Sequence, residues 1–142
     1  MSGGCACGRV RYTTKVEGDD AYLCHCRMCQ RATGSVSIAF KQVLKADTEW
    51  TGSPDWYPSS PIASRPYCRE CGTSLGFAFP DSEKMDLTVA SFDDPSQFVP
   101  KHHVGAESMH RAWLNTEGLP EMVTEEYEPL MAKWRAAGVE PG

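Results

Sequence analysis

Seven cysteines stand in three short clusters, and that distribution constrains the chain more than any other feature: Cys5-Ala6-Cys7, Cys24-His25-Cys26-Arg27-Met28-Cys29 and Cys68-Arg69-Glu70-Cys71. The number is odd, so no scheme of internal disulfides uses all of them. The chain opens Met1-Ser2-Gly3-Gly4-Cys5, without the basic and apolar stretches of a secretory leader. A cytoplasmic location is therefore expected, and thiols there are kept reduced. Paired thiols at short spacing suit a soft metal better than they suit core filling. Zinc takes four ligands in a tetrahedron, and a Cys-x-x-Cys turn followed by glycine folds the backbone around the ion. Cys68 and Cys71, ahead of Gly72, make such a turn; Cys5 and Cys7, ahead of Gly8, make a tighter one. Together they complete a closed four-thiolate site whose role is structural.

Cys24, Cys26 and Cys29 remain, all in one segment. Three protein ligands with an exchangeable fourth position is the usual arrangement of a catalytic zinc. Three thiolates leave the ion with a net charge of −1, a weak activator of water but a good host for another thiol, whose pKa it lowers. His25 would close the site as a fourth ligand, but in an extended segment its side chain points away from those of its two neighbours. Without metal, two of the three thiols can instead pair as a redox disulfide, so occupancy of this second zinc site stays open.

The chain of 142 residues is the size of one domain, and 41% hydrophobic with 23% charged residues is a globular composition. Two such zinc sites take the formal charge from −5 to −8. With no basic run, that balance argues against nucleic acid as a partner, and no apolar run reaches membrane-spanning length.

Alternation at period two marks short strands around Arg9–Tyr12, Val36–Phe40, Leu75–Phe79 and Met85–Val89. Trp50 and Trp56-Tyr57 flank the turn at Thr51–Asp55 and are expected to face each other across a hairpin. A short helix is expected after Cys26, ended by Gly34, and a second over about 129–137 between Pro129 and Gly138. Residues from Pro100 to Met122 lack periodicity and read as a long loop. Phe92, Trp113 and Trp134 are assigned to the core, and Asp93-Asp94-Pro95 to a turn.

Four blocks carry a family resemblance: Gly3-Gly4-Cys5-Ala6-Cys7-Gly8-Arg9-Val10-Arg11-Tyr12; Cys24 to Gly34; Ser59-Ser60-Pro61 with Arg65 and Cys68 to Leu75; and Thr88 to Pro95. In this order, over about residues 3–119, the chain resembles the glutathione-dependent formaldehyde-activating enzyme (GFA) family, which includes centromere protein V-like domains. The resemblance implies a mainly β, Mss4-like antiparallel fold stapled by zinc, with a short C-terminal helix, as one domain over 1–142. It implies Cys5, Cys7, Cys68 and Cys71 as structural zinc ligands, and Cys24, Cys26 and Cys29 as ligands of the zinc assigned to catalysis. The reaction it implies is that of a carbon–sulfur lyase, joining glutathione and formaldehyde as S-(hydroxymethyl)glutathione and reversing the step. The partners are then a small thiol and a small aldehyde.

The stretch His102 to Trp113 departs from the family pattern: Gly105 stands where an aromatic is common and Ala112 where proline is common. That places the thiol in question more than the fold. His102, His103 and His110 are candidates for proton transfer, and Arg27, Arg31 and Arg65 for pairing with substrate carboxylates. Two rival readings accompany the enzyme: a non-catalytic zinc-stapled binding module, and a thiol redox protein using Cys24, Cys26 and Cys29.

Overall fold

The computed structural model describes residues 1–140, which fall in two compact units, one over 1–111 and one from 112 onward. The first unit is almost all β. Its strands are β1 (Ser2–Gly4), β2 (Arg11–Thr14), β3 (Asp20–Cys24), β4 (Ile38–Leu44), β5 (Thr48–Thr51), β6 (Asp55–Ser60), β7 (Ala63–Tyr67), β8 (Gly76–Ala78), β9 (Lys84–Thr88) and β10 (Val99–Val104). A two-turn helix, α1 (Arg27–Thr33), stands between β3 and β4. A three-stranded sheet has the order β1-β2-β5, and a seven-stranded sheet the order β10-β3-β4-β9-β8-β7-β6. Every pair is antiparallel except β10 on β3.

The alternation that marks these strands divides the large sheet into two faces, and both are covered. One face carries Ala21, Val43, Ala78, Met85 and Leu87, packed with Val10, Tyr12, Leu75, Phe92 and Phe98 into the main core. Each large side chain buried there contributes roughly 1.5–3 kcal/mol. Tyr12 is the hub: its ring meets Trp50 and Phe92 edge-on, and its hydroxyl is 2.8 Å from Ser91 Oγ. Lys41, on the same face, keeps its charge by reaching the sheet end, where Nζ donates to Asp20 Oδ1, Asp20 O and Glu17 O. The opposite face holds Tyr22 and Cys24 on β3, Ile38 and Phe40 on β4, Asp86 on β9, Phe77 on β8 and Arg65 on β7. Helix α1 covers it, with Cys29 packed against Cys24 and Phe40.

Three expectations are corrected. Trp50 lies opposite Tyr12 on β2, and Trp56 opposite Pro66 on β7, so the two tryptophans belong to separate sheets and form no hairpin. Part of the presumed loop is strand β10, an exposed edge that pairs with only one neighbour and so needs no alternating apolar face. Trp113 is 65% exposed rather than core, whereas Phe92 is buried as expected.

In the second unit, α3 (Glu128–Ala137) begins with proline in its first turn and ends at Gly138 in the left-handed conformation, as the sequence predicts. A short helix, α2 (Arg111–Leu114), starts on the last residue of the first unit. No helix among the described residues is long and apolar enough to cross a membrane.

Candidate metal centres

The fold assembles the seven cysteines into two sets, each with sulfurs mutually within 4.8 Å: Cys5, Cys7, Cys68 and Cys71, and separately Cys24, Cys26 and Cys29. In the first set Cys7 Sγ is 3.6 Å from Cys5 Sγ and 3.7 Å from Cys68 Sγ. A disulfide requires about 2.05 Å. A tetrahedron of sulfurs at about 2.3 Å from zinc has edges of about 3.8 Å. The spacing is that of a metal cage. Two tight turns build it. Gly8 N–H donates to Cys5 O and Gly72 N–H to Cys68 O, with both glycines at positive φ.

The surroundings of this first set favour the thiolate at Cys68 and Cys71, whereas Cys7 goes up to about 11: a backbone hydrogen bond at Arg9 lowers it, but its hydrogen bond to Cys5, burial and the hydrogen bonds to Cys68 and Cys71 outweigh that. Val10 N–H donates to Cys5 Sγ, and Arg9 Nε donates to Cys68 Sγ at 3.4 Å. Arg9 is itself fixed by an ion pair with Asp55, whose carboxylate also accepts Arg69 N–H. Burial raises the Cys68 pKa, but the Arg9 hydrogen bond and backbone N–H groups outweigh it and lower it overall. The Thr73 hydroxyl and backbone pull Cys71 down to about 5.

The second set sits on the covered face of the large sheet, at the junction of β3 and α1. Cys24 ends β3, and Cys26 caps α1, its sulfur accepting Cys29 N–H at 3.3 Å. Gly34 closes the helix at φ 70°. Cys29 comes down to about 5, by its hydrogen bond from Cys24 and then by Arg65, whose Nη2 is 3.4 Å from Cys29 Sγ. The Cys24 thiol moves up, through the same hydrogen bond and burial.

His25 is fully buried and turned out of the set: its Nε2 is 2.8 Å from His103 Nδ1 on β10. Burial, with His103 close by, lowers its pKa. The backbone ties the same two segments together, since His25 N–H donates to Val104 O. Gln30 Nε2 donates to both His25 O and Ser108 O, fixing the turn between Cys24 and Cys29. Gly105, at φ 64°, lies so close to Cys26 that an added Cβ would stand 2.8 Å from Cys26 N.

With this geometry in view, comparison with known proteins is decisive. The model of the family described as "Glutathione-dependent formaldehyde-activating enzyme" matches residues 1–108. The chain belongs to that family. It is also similar to a Schizosaccharomyces pombe protein described as an uncharacterized lyase, 31% identical over 77 residues, which are 54% of this chain and 56% of that protein. The match thus spans little more than half of that curated relative's length. The fold is shared with a solved Rhodobacter sphaeroides protein at a TM-score of 0.60 and 22% identity, covering 73% of this chain and all of that one.

The other histidine and arginine candidates are placed around these elements but not on the sulfurs. His102 stacks on Tyr22, with ring centroids 5.4 Å apart, while His103 serves His25. Arg31 is exposed, and Arg27 donates to Gln30 Oε1 on its own helix. Two residues were not anticipated. Arg9 looked like an ordinary member of an alternating strand, and its proximity to a cysteine pair was the available signal. Asp86 looked like the solvent side of β9, yet it is only 8% exposed. Burial raises its pKa against a hydrogen bond from Tyr22, and the Cys29 charge raises it further. Nothing local in the sequence distinguishes it, because α1 covers that face only in the folded chain.

Proposed function

We propose that the chain is a zinc-dependent carbon–sulfur lyase that adds a small thiol, glutathione being the first candidate, to formaldehyde or another small aldehyde, and reverses the addition. The observation that carries this reading is the three-sulfur set. Among the described residues, no fourth ligating side chain joins Cys24, Cys26 and Cys29, and the nearest candidate in sequence, His25, is engaged with His103. Membership of the GFA family and similarity to a protein described as a lyase support the same reaction class.

In this reading Cys5, Cys7, Cys68 and Cys71 hold a structural zinc, and Cys24, Cys26 and Cys29 hold a second. Held by these three thiolates, zinc would supply the Lewis acidity that favours the thiolate form of an incoming thiol. The protein's own residues prepare the place. Hydrogen bonds from Cys24 and Arg65 lower the Cys29 pKa, Gln30 locks the turn through His25 O and Ser108 O, and the Cys26 cap orients the first turn of α1. Phe40, Phe77 and Ile38 make the adjoining wall apolar, which limits water. In the reaction the thiol gives up its proton, its sulfur bonds to the carbonyl carbon, and the carbonyl oxygen gains a proton; cleavage reverses each change.

Metal analysis with a kinetic assay tests this. Two zinc ions per chain are expected, falling to one in Cys29→Ser, together with glutathione-dependent loss of formaldehyde above the uncatalysed rate. Two bound zinc ions with no thiol binding and no rate above background would refute the lyase reading. One zinc with a stable disulfide among Cys24, Cys26 and Cys29 would replace it by redox chemistry.

A further inference from the structure

Arg65 is the most conspicuous unfinished group in the molecule. It is 4% exposed, and its guanidinium lies over the Phe77 ring, 4.9 Å from the centroid. Nη2 donates to Cys29 Sγ, while Nε and Nη1 are buried with no hydrogen-bond partner. Among the described residues it forms no ion pair with a carboxylate. A buried guanidinium with two unmet donors is costly to keep, since each unmet donor carries its full desolvation penalty.

The same residue lines a cavity of about 300 Å³, together with Ala32 on α1, Tyr57 on β6, Tyr67 on β7, and Gly72 and Ser74 beside the Cys68–Cys71 turn. The cavity therefore lies alongside the residue that holds Cys29. It is far roomier than formaldehyde needs. Its lining offers aromatic rings, a cationic fork and no carboxylate. Because a guanidinium presents parallel donors matched to two oxygens, a carboxylate is the group that completes it best.

We infer that this cavity is a carboxylate subsite, in which Arg65 selects a small-molecule substrate bearing a carboxylate close to its reacting atom. The inference rests on the Cys24/Cys26/Cys29 set being the reacting centre. Because Nε and Nη1 are shielded from solvent, the carboxylate reaches them by displacing part of the lining. Tyr57, exposed on edge strand β6, is placed to yield. The carboxylate can belong to the thiol or to the carbonyl partner. The chemistry at Arg65 is the same in either case.

The test uses the full chain loaded with cobalt, whose thiolate charge-transfer band reports binding at the second cysteine set. Titration with 3-mercaptopropionate and with its methyl ester reads the thiol arm. Rates of adduct formation with glyoxylate and with glycolaldehyde read the carbonyl arm. In one of the two arms the carboxylate form is favoured about tenfold, the effect expected of one charged hydrogen-bonded pair. That ratio drops toward one in Arg65→Met and is partly restored in Arg65→Lys. Ratios near one in both arms of the wild type overturn the subsite while leaving the lyase reading intact. A band that responds to no thiol overturns the lyase reading, and the subsite with it. Should Arg65→Met fail to fold or to hold cobalt, the wild-type ratios still decide.

Discussion

Arg9 and Arg65 each stand 3.4 Å from one cysteine sulfur, Cys68 and Cys29 respectively, and in both places a planar cation offsets charge that crowded thiolates accumulate. Groups that orient metal ligands commonly change affinity by about 10–100-fold when removed. Arg9→Met is accordingly expected to speed metal loss from the four-cysteine set to a chelator by roughly tenfold, while the three-cysteine set releases metal as before; a colorimetric chelator assay reads both. Asp86 gives a prediction of different kind. Its folded pKa lies above the unfolded value, so its contribution to stability is complete below about 3.9 and is lost as pH rises through the folded value. Asp86→Asn removes that loss and keeps a partner for Tyr22. The variant should be more stable than the wild type by roughly 1–2 kcal/mol at pH 7, with the difference vanishing near pH 3, as followed by denaturant titration. The cysteines were legible in the sequence because their chemistry is tied to spacing. Arg9 and Asp86 were not, because their roles depend on neighbours from distant strands.

At the scale of elements, β3, α1 and β10 form one working unit. β3 brings Cys24 to the end of the sheet, α1 carries Cys29 back over it, and β10 braces the turn through Val104 O, with His103 beside it. Gly105 follows β10 and touches Cys26. Gly105→Ala should displace Cys26 and weaken metal binding at the second set at least about tenfold, with the β circular-dichroism signal retained, because the added methyl meets backbone rather than a movable side chain. Gly34→Ala meets no atom within 4 Å, so only its left-handed conformation is penalised, at about 1 kcal/mol in thermal unfolding. Helix α1 was readable from Cys26 and Gly34, since caps are written locally. β10 was not: Pro100, Lys101, His102 and His103 give a polar run, and its pairing is with β3, far earlier in the chain. The departure at Gly105, where an aromatic is common in the family, has a local cause, because no side chain fits against Cys26 with that backbone.

Across the whole molecule, the proposed reading divides the work of the two cysteine sets between framework and chemistry. The first joins the β1–β2 region to the turn before β8, tying the small sheet to the large one. Cys71→Ser should therefore abolish the cooperative thermal transition seen by circular dichroism, whereas Cys29→Ser should leave it largely in place. Equal collapse of both would contradict that division. The overall β class and the membership of each sulfur set were legible because they follow from alternation and spacing. The sheet order and the second covered face were not, since they arise from long-range pairing. That separation along the chain also bears on biosynthesis. Cys24, Cys26 and Cys29 leave the ribosome together, but their braces at His103, Val104 and Ser108 arrive about eighty residues later, at roughly 5–20 residues per second. For several seconds the nascent trio is a loose chelator without its scaffold. In the proposed reading, lasting capture of metal then waits on the late strand.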